Sequence, residues 1–102
     1  MRIIGGKYKS RIFHPSKNFT ARPTTDLAKE ALFNILENRY DFSDLKILDL
    51  FSGSGSIGYE FISRGAKEVT FVEKVFHHIR FIKNVTRQLE INNVKIIKDD
   101  VF

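Results

Sequence analysis

Residues 46–58, Lys-Ile-Leu-Asp-Leu-Phe-Ser-Gly-Ser-Gly-Ser-Ile-Gly, limit this chain more than any other stretch. An apolar run carrying one carboxylate, Asp49, breaks into a loop with glycines at 53, 55 and 58. Glycine lets a chain turn tightly and lets backbone come close to a ligand, so this pattern predicts a strand, a cradle and then a helix.

The segments that follow repeat the alternation. We expect strands at 46–51, 68–73 and 94–97, with helices at 56–64 and 77–91 between them. Ile79, Ile82, Val85 and Leu89 fall on one face of the second helix. Strand–helix alternation of this kind gives a parallel sheet with crossover helices. Upstream, residues 2–13 read as a hairpin turning at Gly5-Gly6, with 7–13 as its second strand. Thr24, Thr25 and Asp26 are candidate caps for a helix running to about residue 38. Its apolar pairs Leu27/Ala28, Ala31/Leu32 and Ile35/Leu36 predict one buried stripe, with Lys29 and Glu30 off its centre. The division expected is a basic hairpin-and-helix extension over 1–40 and the first part of a cofactor-binding domain over 41–102.

The chain has 102 residues and no cysteine, which excludes disulfides and thiolate metal sites and suits a reducing, cytoplasmic setting. The N-terminus has no signal-peptide run, and no stretch approaches the roughly 20 apolar residues that span a bilayer. Net charge is +5. Arg2, Lys7, Lys9, Arg11, Lys17 and Arg22 all precede the first acidic residue, Asp26, and are interleaved with Tyr8, Phe13 and Phe19. Cations mixed with aromatics suit a polyphosphate partner whose bases can stack, although a basic run also serves as a solvated surface.

The glycine spacing fits a dinucleotide as well as S-adenosylmethionine, and Glu73, 20 residues past Gly53, is placed to accept from a ribose in either. Asp49 favours the second, because a buried carboxylate would repel a pyrophosphate but attract an ammonium and a sulfonium. Asp49 could also simply fix the loop, and Glu73 could end its strand as a solvated charge. Asp100 closes the third strand in the same sense and is placed to accept from an adenine amino group, with Asp99 as its competitor. Phe51 suits the wall of an adenosine pocket or a core position. Tyr59 and Glu60 are placed to line the pocket, with solvent exposure as the alternative for Glu60. His14, His77 and His78 have no partners at metal-ligand spacing, so no metal is expected and surface or packing roles are assigned to them. Phe61, Phe76 and Phe81 are expected to pack helices onto the sheet.

With those residues placed, the chain resembles the bacterial 16S rRNA guanine-N2 methyltransferases of the RsmD type over essentially its whole length. Three blocks carry the resemblance: Arg2-Ile3-Ile4-Gly5-Gly6-Lys7 with Arg11; Arg22-Pro23-Thr24-Thr25-Asp26 with Lys29-Glu30-Ala31-Leu32-Phe33-Asn34; and Asp49-Leu50-Phe51-Ser52-Gly53-Ser54-Gly55 with Gly58. The resemblance implies an α/β, Rossmann-like class I methyltransferase fold with sheet order 3-2-1-4-5-7-6 and an N-terminal hairpin. It implies Asp49, Gly53 and Gly55 around the methionine end of S-adenosylmethionine, Glu73 on the ribose and Asp100 near the adenine. It suggests that the basic extension and residues 22–26 face RNA or the cofactor pocket, with Arg2, Lys7, Lys9, Arg11, Arg22 and Thr24 as the RNA-binding candidates. The implied partner is 16S rRNA or an assembling small ribosomal subunit.

The chain departs from that family in one respect. The catalytic Asn/Asp-Pro-Pro-Tyr/Phe tetrapeptide of such enzymes is absent from residues 1–102, whose only prolines are Pro15 and Pro23. Methylating a guanine amine depends on holding it in line with the methyl group, so these residues alone are expected to be inactive. Strand order 3-2-1 also leaves 46–51 as an open edge, which predicts self-association or membership of a longer polypeptide. Two other readings stay open: a non-catalytic RNA-binding or assembly module with a degenerate fold, and a nicotinamide-dependent oxidoreductase.

Overall fold

The structure, a computed structural model, describes residues 1–15, 24–50 and 52–99. Its elements are α1 (Asp26–Arg39), a 3-10 turn at Phe42–Asp44, β1 (Lys46–Leu50), α2 (Ser56–Ser63), β2 (Glu68–Glu73), α3 (Phe76–Gln88) and β3 (Val94–Lys98). The three strands form one parallel sheet in the order β1-β2-β3, with Ile47 opposite Val69 and Val69 opposite Val94. This is the expected order read from the other edge, and β1 lies at an edge as anticipated.

Alternation along the strands sends Ile47, Asp49, Val69, Phe71, Glu73 and Ile96 to one face. Val69 and Phe71 there share a core with Tyr59 and Ile62 of α2 and with Ile82, Val85 and Leu89 from α3 and its cap. Both crossover helices therefore cover the same face. The opposite face carries exposed Leu48, Leu50 and Ile97, with Leu48 62% exposed. A strand as apolar as β1 suggests cover on both sides; within the described residues it has cover on one.

Two sequence expectations fail here. The N-terminal hairpin is shorter than predicted: a single antiparallel bridge joins Arg2 and Ile12, and residues 5–10 form the turn rather than a strand from 7 onwards. Gly6 explains why. Its φ is +79°, and a Cβ built on it would lie 1.9 Å from the Ser63 carbonyl oxygen, so the turn is pressed onto the end of α2. The second failure is α1. Thr25 caps it as expected, its hydroxyl accepting from the Ala28 N–H at 3.1 Å. But the helix buries Lys29 and Phe33 and leaves Leu27, Leu32 and Ile35 exposed. The stripe expected inside faces out, because α1 packs on α2 and not on the sheet.

The contact with α2 accounts for the choice. The Phe33 ring meets Phe61 edge-on at 4.6 Å and Phe42 at 6.2 Å. Glu60, completely buried in α2, accepts from the Ile4 and Gly5 N–H groups at 2.9 and 3.0 Å and from Arg64 Nε at 2.8 Å. Lys29 Nζ lies 3.7 Å from the same carboxylate and donates to the Arg2 carbonyl. Burial lowers the Lys29 pKa, and the Glu60 charge works against that shift.

Candidate functional site

The glycine loop leaves β1 at its carboxyl end, where open parallel sheets hold their ligands. Ser52 fixes the exit: its hydroxyl donates to the Asp49 carbonyl at 2.7 Å, and its N–H donates to the Val72 carbonyl at 3.2 Å. Gly55 turns the chain into α2 with φ +81°, and a Cβ there would lie 2.6 Å from the Tyr59 hydroxyl. Only a residue without a side chain lets the loop lie this low on the Tyr59 ring. Gly58 serves a different end, since a Cβ on it would meet the Phe71 ring at 2.1 Å, so it brings α2 close to β2.

Asp49 lies on the helix-covered face of β1, beneath this loop. Burial raises its carboxyl pKa to about 6, the nearby Glu73 charge adds to the shift, and the Gly58 N–H opposes it. Its Oδ2 is buried with no hydrogen-bond partner among the described residues, and the same holds for Ser56 Oγ and the Tyr59 hydroxyl. Burial and the Asp49 charge hold the Tyr59 phenol well above its ordinary range.

Glu73 ends β2 beside the loop. Its Oε2 accepts from the Gly53 N–H at 2.6 Å, and its Oε1 accepts from the Lys74 and Val75 N–H groups at 2.9 and 3.1 Å. Burial pushes the Glu73 pKa up, but the three donors and nearby His78 outweigh it and leave the value lowered. A carboxylate has about four acceptor positions, and the three N–H groups leave one, on Oε2, the oxygen that faces His78. His78 is buried, with Nδ1 3.5 Å from Glu73 Oε2, while His77 and His14 are exposed. Next to Glu73, Lys74, Val75, Lys98 and Asp99 line an open cleft of about 590 Å³ at the ends of β2 and β3. Phe76, expected to pack, is instead exposed there, with Lys98 Nζ 5.5 Å from its ring centre.

The structure thus brings Asp49, Gly53, Gly55 and Glu73 to one place. Phe51, Asp100 and Arg22 lie outside the described residues. The other basic candidates are divided. Arg2 pairs with Asp26 at 2.8 Å, near exposed Thr24 at the start of α1. The Lys7 N–H donates to the Ser63 carbonyl at 2.7 Å, at the far end of α2 from the loop. Lys7, Lys9 and Arg11 are exposed, with the Lys7 ammonium 5.4 Å from the Tyr8 ring centre and the Arg11 guanidinium 5.8 Å from that of Phe13.

Sequence reasoning places Tyr59 at the pocket and leaves Glu60 undecided between pocket and solvent; both are completely buried. The signals are present in the chain: Tyr59, Ile62 and Ala66 recur at helical spacing, and Glu60 has Arg64 four residues on. Among the described residues no group of three or more His, Asp or Glu side chains is disposed to hold a metal, and no helix is long and apolar enough to cross a membrane.

Residues 1–102 match the family described as conserved hypothetical protein 95. An uncharacterized methylase of Rickettsia prowazekii is 38% identical over 95% of this chain and 44% of its own length. The ribosomal RNA small subunit methyltransferase D of Buchnera aphidicola subsp. Baizongia pistaciae is also 38% identical, over 96% of this chain and 50% of its own length. A hypothetical protein of Thermus thermophilus superposes with a TM-score of 0.87 at 32% identity, covering 99% of this chain and 56% of that structure. The chain spans about half the length of the curated relatives it matches. The α/β sheet with its glycine loop is that of the class I methyltransferases.

Proposed function

This chain belongs to the conserved hypothetical protein 95 family, that of the RsmD-type methyltransferases, and from that premise we propose that it forms the cofactor-binding part of an S-adenosylmethionine-dependent rRNA methyltransferase. The finer reading is transfer to the exocyclic N2 of a guanine in 16S rRNA. The observation that carries the cofactor assignment is Asp49: a half-buried carboxylate with one enclosed, unpartnered oxygen, next to the Gly58 N–H that follows the glycine loop.

The residues present fit that cofactor. It supplies a methyl group activated by a sulfonium, and its amino-acid end carries an ammonium. Asp49 favours both cations, and it would repel the pyrophosphate of a dinucleotide. Gly53 and Gly55 let the backbone approach the methionine end. Glu73 is assigned to the ribose hydroxyls; Phe51 and Asp100 are assigned to the adenosine. Exposed Lys9 and Arg11, with Lys7, Arg2, Arg22 and Thr24, are assigned to the RNA phosphates. Guanine N2 is a weak nucleophile that needs orientation, and the tetrapeptide that would orient it is not among these residues. Residues 1–102 alone are therefore expected to bind cofactor and RNA without transferring methyl.

Calorimetry at several pH values tests the assignment. A carboxyl whose pKa is raised to about 6 in the folded chain is neutral below that pH and charged above it. Affinity for S-adenosylmethionine should therefore rise as pH climbs from 5 to 7, while NAD shows no binding. The stability of the chain without ligand should move the other way: the contribution from Asp49 is full below about pH 4 and lost as pH rises through about 6. NAD binding tighter than S-adenosylmethionine would sink the reading in favour of an oxidoreductase. RNA binding by a chain with no affinity for S-adenosylmethionine would favour a non-catalytic module.

A further inference from the structure

The three buried polar atoms beneath the loop belong to different residues, and only Asp49 has a part in the reading above. Tyr59 is the largest fully buried side chain in the described structure, and its hydroxyl is a donor enclosed without an acceptor. An enclosed, unmatched hydroxyl is unfavourable, as is an enclosed carboxylate oxygen without a donor. The two groups complement each other and lie in the same locality. The Tyr59 ring supports Gly55, and the Asp49 charge is felt by the phenol. Ser56 Oγ, in the residue after Gly55, is a third unmatched atom there, and three polar partners are what a buried water usually has.

We propose that Tyr59 is a positioning residue of the cofactor site, its hydroxyl donating across one water to the inner oxygen of Asp49. The proposal rests on the cofactor reading for its purpose but not for its geometry. One side chain then does two things: the ring sets the height of Gly55, and the hydroxyl holds the carboxylate charged and aimed at the cationic end of the ligand. The groups facing Asp49 are the Gly58 N–H and Tyr59 from α2 and Glu73 from β2, with His78 of α3 behind Glu73. Of these, Glu73 opposes ionisation of Asp49 and the Gly58 N–H favours it. Tyr59 supplies the second favourable contact.

The test is Tyr59→Phe in the full chain, read by carbon-13 titration of the Asp49 carboxyl without ligand. A donor to the anion holds the midpoint down, so its removal should raise the midpoint by about one unit from about 6 and lower the thermal midpoint at pH 8. Such a shift reduces the ionised fraction from about one half to about one tenth at pH 6, and by about a tenth at pH 8. Affinity for S-adenosylmethionine should accordingly fall about fivefold at pH 6 and hardly at all at pH 8, a split that a merely structural role would not produce. An unchanged Asp49 midpoint together with a raised thermal midpoint would overturn the proposal, since deleting an unused buried hydroxyl stabilises. If wild type binds no S-adenosylmethionine, the cofactor reading fails while the titration still decides the Tyr59 contact. Should Tyr59→Phe not fold, Asp49→Asn serves: the Tyr59 ζ-carbon resonance moves if the contact exists and stays if it does not.

Discussion

Helices α1 and α3 have similar lengths and each carries a predicted apolar face, yet only α3, the more strongly amphipathic of the two, buries it. In α3 the predicted face, Ile79, Ile82 and Val85, enters the core and is capped by Leu89. In α1 the predicted face stays out, with Leu27 78% and Ile35 54% exposed, and Lys29 goes in. Periodicity identifies residues that gain from burial, but the surface each helix meets decides which face is covered. Helix α3 meets Val69 and Phe71 of the sheet. Helix α1 meets α2, which presents Glu60 and Phe61, and so takes in a cation and an aromatic ring.

The largest test of this contrast is Glu60→Ala. It removes the acceptor for the Ile4 and Gly5 N–H groups and for Arg64 Nε, and it leaves Lys29 enclosed without a counter-charge. Breaking a buried, hydrogen-bonded pair in this way costs about 3–5 kcal/mol, measurable by urea unfolding. Lys29→Met should cost much less. Glu60 keeps three donors, and the penalty of enclosing the ammonium, which already lowers its pKa, disappears. Equal effects from the two substitutions would mean that the pair, and not the acceptor role of Glu60, holds α1 and the N-terminal turn on α2.

The same clasp shows where the sequence is legible and where it is not. Strands β1, β2 and β3 and the meeting of Asp49, Gly53, Gly55 and Glu73 follow from local signals, alternation and glycine spacing, while the strand order is what the family resemblance implies. The burial of Lys29 does not follow, because it depends on Glu60, 31 positions away, and no local pattern links the two. The Arg2–Lys7 block reads as RNA-facing, although Gly5 and Gly6 in it serve close packing. Gly6 has its backbone against Ser63, and Gly5 donates to Glu60 and accepts from the Ser63 hydroxyl at 2.5 Å. Glu73 reads as an open ribose ligand, and its three backbone donors are invisible without the fold.

A second test sets equal side chains against each other. Ile82→Ala in α3 empties space inside the core and should cost about 2–5 kcal/mol. Ile35→Ala in α1 removes a side chain that is already half in water, and should cost no more than about 1 kcal/mol. Similar losses at the two positions would show that the outer face of α1 is covered in solution.

The smallest expected effect is the most sensitive to that possibility. Leu27→Gln replaces an exposed residue in the first turn of α1, where glutamine is as good a helix former and the Thr25 cap is untouched. Its effect on unfolding should fall within about 0.5 kcal/mol, independent of protein concentration. Leu48→Gln on the open face of the sheet is its partner experiment, since that residue is also exposed but sits on the edge strand. Unpaired edges invite association, so a concentration-dependent change for Leu48→Gln with none for Leu27→Gln would place self-association at β1. The reverse would place it on α1, and the inverted helix would then be a face held for a second chain.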